Sequence, residues 1–268
     1  MHGLGNDFVV IDAINQNIDL TAGQIKALAD RHYGVGFDQL LLVESAKGDA
    51  DFRYIIYNAD GSEVSQCGNG ARCFALFVTQ KGLTNKHSIR VETGGGELVL
   101  NVDEEQQVMV DMGVPRFEPE SIPLKVDQRK LQYIVNAAGR DVEFSALSMG
   151  NPHAVIQVDD IKTAEVEVLG EAMESHAIFP ERANIGFSEI TGDSSLALRV
   201  YERGAGETLA CGSGACAAVV AAVQLGKINT PATVTLVGGE LTIDWQGEGS
   251  SVMMTGPAAF VFDGMIEI

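Results

Sequence analysis

Short runs of alternating or β-branched apolar residues predict strands over Phe8–Asp12, Leu40–Glu44, Phe52–Tyr57, Ser88–Glu92, Leu98–Val102 and Val108–Met112. A second series follows over Ala154–Val158, Ile185–Ile190, Leu196–Tyr201, Thr233–Leu236, Leu241–Trp245 and Ser251–Thr255. Frequent hairpin-length connections favour antiparallel or mixed sheet. Helical patterning interrupts each series. Thr21-Ala22-Gly23-Gln24 has capping-box form and starts a helix expected to end near Gly34. Longer helices are expected over Asn69–Lys81 and Ser213–Leu225. The second is apolar on every side from Ala215 to Val223, which marks a helix buried within its domain.

The two series are one pattern written twice. Gly61-Ser62-Glu63-Val64-Ser65-Gln66-Cys67-Gly68-Asn69-Gly70-Ala71 aligns with Ala205-Gly206-Glu207-Thr208-Leu209-Ala210-Cys211-Gly212-Ser213-Gly214-Ala215. Gly5-Asn6 aligns with Gly150-Asn151, Tyr57 with Tyr201, and Gly95-Gly96-Glu97-Leu98 with Gly238-Gly239-Glu240-Leu241, all in the same order. Two units are too few for a solenoid. The expected fold is therefore α/β of the α+β type. Two pseudo-symmetric halves each wrap a mostly antiparallel or mixed sheet around a central buried helix, with an active site in the cleft between them. The halves are expected at 1–114, joined by a C-terminal strand over 258–268, and at 115–257.

Composition narrows the function. With 268 residues, 46% of them apolar, the chain can bury a sizeable core. Its net charge of −19 argues against nucleic acid and against an anionic membrane surface. The start of the chain lacks a signal-peptide pattern, and the longest apolar run, about Cys216 to Val223, falls far short of the ~18 residues of a membrane span. A soluble cytoplasmic protein is expected. The four cysteines, spaced Cys-x5-Cys and Cys-x4-Cys, form neither a disulfide framework nor a good zinc or redox motif.

Candidate chemistry lies in the two repeated turns, Cys67-Gly68-Asn69-Gly70 and Cys211-Gly212-Ser213-Gly214. Each joins a polar loop to a buried helix. Free N–H groups at a helix N-terminus bind carboxylates, and the same dipole end favours thiolate over thiol. If the halves face each other, two sulfurs approach one α-carbon from opposite sides. One would remove its proton and the other would deliver a proton to the other face. Only one proton can be shared across such a pair, so the titration belongs to the pair. Cys73 and Cys216, inside the helices, read as structural.

At these residues the sequence resembles the diaminopimelate epimerase family. The matching motifs are Met1–Phe8 (MHGLGNDF), Gly34–Gln39 (GVGFDQ), Asn58–Cys73 (NADGSEVSQCGNGARC), Met149–His153 (MGNPH) and Tyr201–Cys216 (YERGAGETLACGSGAC). The resemblance implies interconversion of LL- and meso-2,6-diaminopimelate, a step of lysine biosynthesis, without pyridoxal phosphate or metal, by a protein that is commonly a homodimer. It implies Cys211 as proton acceptor and Cys67 as proton donor in the LL-to-meso direction, with His153 and Glu202 tuning the thiols. Gly68, Asn69, Gly212 and Ser213 would hold the reacting carboxylate. Asn6, Gln39, Asn58, Asn151, Asn184, Glu202 and Arg203 would line the rest of the pocket.

Two alternatives stay open on the residues alone. One is a two-cysteine proline or hydroxyproline racemase, for which the Asn-rich lining and Arg203 would serve no purpose. The other is a non-catalytic metal or redox protein, which would not need the glycines of the turns. Read singly, Asn6 and Asn151 also fit turn positions, and Glu202 and Arg203 fit surface ion pairs.

Overall fold

The structure, a computed structural model, describes residues 1–64 and 67–267; Ser65 and Gln66 of the first cysteine motif lie outside the described residues. The chain divides into two units, Met1–Asp111 with Thr255–Ile268, and Met112–Met254.

The first unit contains β1 (His2–Gly3), β2 (Asn6–Asp12), α1 (Ala22–Ala29), β3 (Gln39–Ser45), β4 (Phe52–Asn58), β5 (Glu63–Val64), α2 (Gly68–Gln80), β6 (Ser88–Thr93), β7 (Gly96–Val102) and β8 (Val108–Asp111). Parallel pairs β2–β3 and β4–β6 are bridged by α1 and α2. The pairs β1–β2, β3–β4, β4–β5, β6–β7 and β7–β8 are antiparallel, so the sheet is mixed. Helix α2 packs against β1, β2, β3, β7 and β8 and is buried from Asn69 to Val78. Ile25, Leu28 and Ala29 of α1 pack with Phe37, Leu40, Leu42 and Ile55 in a separate cluster.

The second unit contains β9 (Tyr133–Ala137), β10 (Arg140–Ser148), β11 (Pro152–Gln157), α3 (Val166–Glu174), β12 (Asn184–Gly192), β13 (Ser195–Glu202), β14 (Gly206–Thr208), α4 (Gly212–Gln224), β15 (Ala232–Leu236), β16 (Gly239–Trp245) and β17, which runs Val252–Gly256 across the unit boundary. Its topology repeats the first. The parallel pairs β11–β12 and β13–β15 are bridged by α3 and α4, and β12–β13, β13–β14 and β15–β16 are antiparallel. The pair β10–β11 stands where β1–β2 stands, and β9 extends it. Helix α4 packs against β10, β11, β12, β13, β15 and β16 and is buried from Gly214 to Ala222, as its all-round apolar sequence predicts. Helix α3 crosses close to β13. A Cβ at Gly170 would meet Tyr201 Cβ at 2.6 Å, so only glycine permits this approach.

Some expectations require correction. The first helix starts with the predicted reciprocal bonds between Thr21 and Gln24 but stops at Ala29, not near Gly34. Asp30 turns its carboxylate to the N–H groups of His32 and Tyr33, which offers the backbone an alternative to a further helical turn. The anticipated strand over 258–268 is, among its described residues, a single bridge between His2 and Ala259. No helix among the described residues is long and apolar enough to cross a membrane.

Candidate active site

Cys67 and Cys211 are the N-cap residues of α2 and α4, with extended backbone (φ −148, ψ 119 and φ −121, ψ 107). The next residues, Gly68 and Asn69 or Gly212 and Ser213, open the helices. N–H groups in a first turn have no partner within the helix, and a helix N-terminus of this kind is chemically suited to an anion such as a carboxylate. Gly214 packs closely: a Cβ there would sit 3.1 Å from Val200 Cγ2 and 3.2 Å from Cys211 Sγ, so a larger residue would press on the cysteine side chain.

In the first unit, hairpin β1–β2 turns through Gly5 (φ +89), which delivers Asn6 to the cysteine. Asn6 Oδ1 lies 4.0 Å from Cys67 Sγ and accepts from Asn69 Nδ2 at 3.2 Å. Two charged side chains orient these amides. Arg72, fully buried, donates to Asn69 Oδ1 at 3.0 Å and to the Pro257 carbonyl at 3.0 Å. Asp38 accepts from Asn6 Nδ2 at 3.0 Å, while Arg31 bridges Asp38 and Asp7, each at 2.8 Å. A guanidinium only donates and a carboxylate only accepts. The chain Arg72–Asn69–Asn6–Asp38 therefore has one polarity, which turns the Asn6 carbonyl oxygen to the Cys67 sulfur.

Tyr54 holds the cysteine itself. Its buried hydroxyl accepts from the Cys67 N–H at 3.0 Å and donates to the Cys67 carbonyl at 3.2 Å. Burial, and next the Cys67 charge, raise the phenol's pKa, so it stays protonated. In the repeat, Leu198 occupies the matching position of β13, so this clamp belongs to one turn alone. On β3 and β4, Gln39 and Asn58 stand opposite each other and share a bond of 3.0 Å.

In the second unit, Gly150 (φ +95) delivers Asn151 as Gly5 delivers Asn6. His153 Nε2 lies 3.0 Å from Asn151 Oδ1 and 3.1 Å from Ser213 Oγ, and Ser213 Oγ lies 3.6 Å from Cys211 Sγ. Facing a carbonyl oxygen, Nε2 carries the ring proton, which leaves the serine hydroxyl to point at sulfur. His153 is thus one hydroxyl away from the cysteine. Asn184 is satisfied at both ends: its oxygen accepts from the Arg203 N–H at 3.0 Å, and its nitrogen donates to the Pro152 carbonyl at 3.1 Å. Glu202 accepts from Thr208 Oγ1 at 2.5 Å. Arg203 donates to the Glu181 carbonyl at 3.2 Å, and Gly204 N–H donates to the buried Glu174 of α3 at 2.8 Å.

At Cys211 the electrostatics run against the thiolate-favouring effect expected of a helix N-terminus. Burial, and next the Glu202 carboxylate, raise the Cys211 thiol well above its ordinary pKa. The Ser213 hydroxyl and the Gly214 N–H pull the other way but do not win. Desolvation of an enclosed sulfur outweighs these two bonds. Cys73, in the α2 interior, is likewise pushed up to about 12 by burial, in keeping with an inert structural thiol.

His153 is held neutral. Burial, and then the Arg203 charge, push its pKa down to about 3. The unfolded chain takes up this proton near pH 6.5 and the folded chain does not until about pH 3. Stability is therefore lost as pH falls through that window, by roughly 1 kcal/mol per pH unit from this group. Urea unfolding of wild type and His153→Gln between pH 6.5 and 4 is expected to show the steeper decline in wild type; parallel curves would remove His153 from the balance.

The structure gathers Asn6, Cys67 and Asn69 around the first turn, and Asn151, His153, Glu202, Cys211 and Ser213 around the second. The sequence reading did not single out Tyr54, Arg72, Asp38 or Glu174. Arg72 and Asp38 fall inside the quoted motifs, whereas nothing local marks Tyr54 or Glu174.

The diaminopimelate epimerase family model matches residues 1–118 and 145–261. Solved structures share the fold. A phenazine biosynthesis protein of the PhzF family from Bacillus anthracis is 19% identical, with a TM-score of 0.65, over 99% of this chain and 95% of that one. A hydroxyproline epimerase from Agrobacterium vitis, with bound trans-4-hydroxy-L-proline, is 17% identical, with a TM-score of 0.62, over 96% and 87%. A probable proline racemase from Agrobacterium radiobacter K84 is 15% identical, with a TM-score of 0.67, over 98% and 92%. With both cysteine turns and nearly all the strands of both units inside the matched segments, the chain belongs to the diaminopimelate epimerase family, a family of isomerases.

Proposed function

We propose that this protein interconverts LL- and meso-2,6-diaminopimelate, with Cys211 as proton acceptor and Cys67 as proton donor in the LL-to-meso direction. The observation that supports this most is the duplicated turn. Two cysteines cap the N-termini of matching helices in units of one topology, each beside an asparagine delivered by a matching glycine turn. On this reading the two units close on one substrate. The first-turn N–H groups hold the reacting carboxylate, and the sulfurs flank its α-carbon.

The polar groups suit a substrate with two amino-acid ends. Arg203 would pair with the distal carboxylate and Glu202 with an ammonium group. An ammonium beside Glu202 would cancel the carboxylate's push on Cys211 and ease its ionisation. The base is thus assembled with substrate in place. Requiring both ends also confers specificity, since an analogue lacking one leaves buried polar groups unpaired. We further propose that the protein acts as a homodimer in lysine biosynthesis in the cytoplasm, without cofactor.

The test is α-deuterium incorporation in deuterium oxide from LL-diaminopimelate, L-proline and trans-4-hydroxy-L-proline in parallel. Label entering diaminopimelate, with formation of the meso isomer, is the expected result. Exchange confined to proline or hydroxyproline would overturn the substrate assignment.

A further inference from the structure

Gln39 Oε1 is buried and has no hydrogen-bond partner among the described residues. The direction of the bonds leading to it is set at the surface. Asp60 Oδ1 accepts from the Ser62 N–H at 2.8 Å and from the Ser62 hydroxyl at 2.6 Å. The serine's one proton is thereby committed, so Ser62 Oγ can only accept, and it does so from Asn58 Nδ2 at 3.1 Å. That bond turns Asn58 Oδ1 to Gln39 Nε2 at 3.0 Å and leaves the Gln39 carbonyl oxygen facing away from the chain of bonds. Flipping both amides would set Asn58 Oδ1 against Ser62 Oγ with no hydrogen between them.

We propose that Ser62 is a positioning residue that acts through Asn58 to present the Gln39 carbonyl oxygen as a buried acceptor for a substrate ammonium group. The inference rests on the amino-acid epimerase reading above. A buried acceptor left unmatched is unfavourable, and an ammonium supplies the missing donor with charge assistance. The second unit has no such relay. There, Gly204 and Gly206 replace Asp60 and Ser62 in the repeat, and Asn184, which matches Gln39 in register, is satisfied at both ends. That unit has a carboxylate, Glu202, at the position of Asn58 itself. The first unit keeps its carboxylate two hydrogen bonds farther out, behind a serine and an amide. Its acceptor is therefore a neutral amide and not a carboxylate.

Ser62 is exposed, so Ser62→Ala is expected to fold normally. Steady-state kinetics with LL-diaminopimelate should show KM raised about tenfold and kcat changed far less, because the interaction lost is one of binding. Ser62→Thr, which keeps the hydroxyl, should restore KM. In ¹⁵N-labelled free protein, the side-chain amide resonances of Asn58 and Gln39 should move in Ser62→Ala and return in Ser62→Thr. An unchanged KM in Ser62→Ala, or an equal rise in Ser62→Thr, would overturn the proposal. A wild-type protein inert toward LL-diaminopimelate would sink the function assignment instead. Unmoved Asn58 and Gln39 resonances in Ser62→Ala would then still refute the relay.

Discussion

Cys67→Ala and Cys211→Ala are each expected to lower epimerisation by at least about a thousandfold while the protein stays folded. The size follows from the division of labour. A group on one face of the α-carbon cannot reprotonate the other, so neither cysteine can cover for its partner. KM should move little, because the N–H donors of both turns are backbone groups that survive the substitution. The double variant should be hardly worse than either single one, since residues that act as a unit are not additive. Folding should persist because neither Cys67 nor Cys211 makes a side-chain capping bond at its helix start, and trimming one sulfur atom, even from buried Cys211, leaves the helix core from Gly214 to Ala222 intact. The measurement is turnover by chiral chromatography alongside urea unfolding. A near-normal rate in either variant would remove that cysteine from the mechanism.

The second large effect concerns oxidation. If both sulfurs address one carbon, closing the empty protein should bring them within bonding reach. Treatment with hydrogen peroxide should then join Cys67 to Cys211, the two thiols giving up two hydrogens as peroxide is reduced to water. Activity should vanish completely, since neither thiol nor thiolate remains, and dithiothreitol should restore it. Mass spectrometry of an unreduced digest identifies the linked peptides. Cys73 and Cys216 should not compete, because both are fully buried within helices. Full activity after confirmed formation of this disulfide would refute the scheme.

Much of the fold was legible because the pattern appears twice. Every strand expected in either series exists, within a residue or two of its predicted bounds at most ends, and α2 and α4 start one residue before their expected starts. What escaped has local causes. Strands β1, β5 and β14 span only two or three residues, too short for any periodicity to register. Strand β10 reads Arg-Asp-Val-Glu-Phe-Ser-Ala-Leu-Ser and changes from alternating to continuous burial midway, which blurs its period. Helix α3 has Val166, Val168 and Gly170, poor helix formers, and is stabilised instead by Leu169 and Met173 in the second unit's core.

The candidate site divides along the same line. Residues marked by duplicated motifs, such as Asn6 with Asn151 and Cys67 with Cys211, could be named from the sequence. Tyr54 could not, because its role depends on a contact across a turn that its own strand does not reveal. A helix N-terminus by itself favours thiolate over thiol. At Cys211, burial and Glu202 raise the thiol instead; the sequence motifs place Glu202 near the thiols, but the direction of its effect follows only from the folded site.

The central claim, inversion by two groups on opposite faces, is tested most directly by following LL-diaminopimelate in deuterium oxide at low conversion. Each sulfur exchanges its proton with solvent before turnover, so the donor delivers deuterium while the acceptor holds the proton just removed. Newly formed meso product should carry one α-deuterium, and recovered LL substrate should carry none. Deuterium appearing in recovered substrate as fast as in product would mean that one group serves both faces, and would contradict the account.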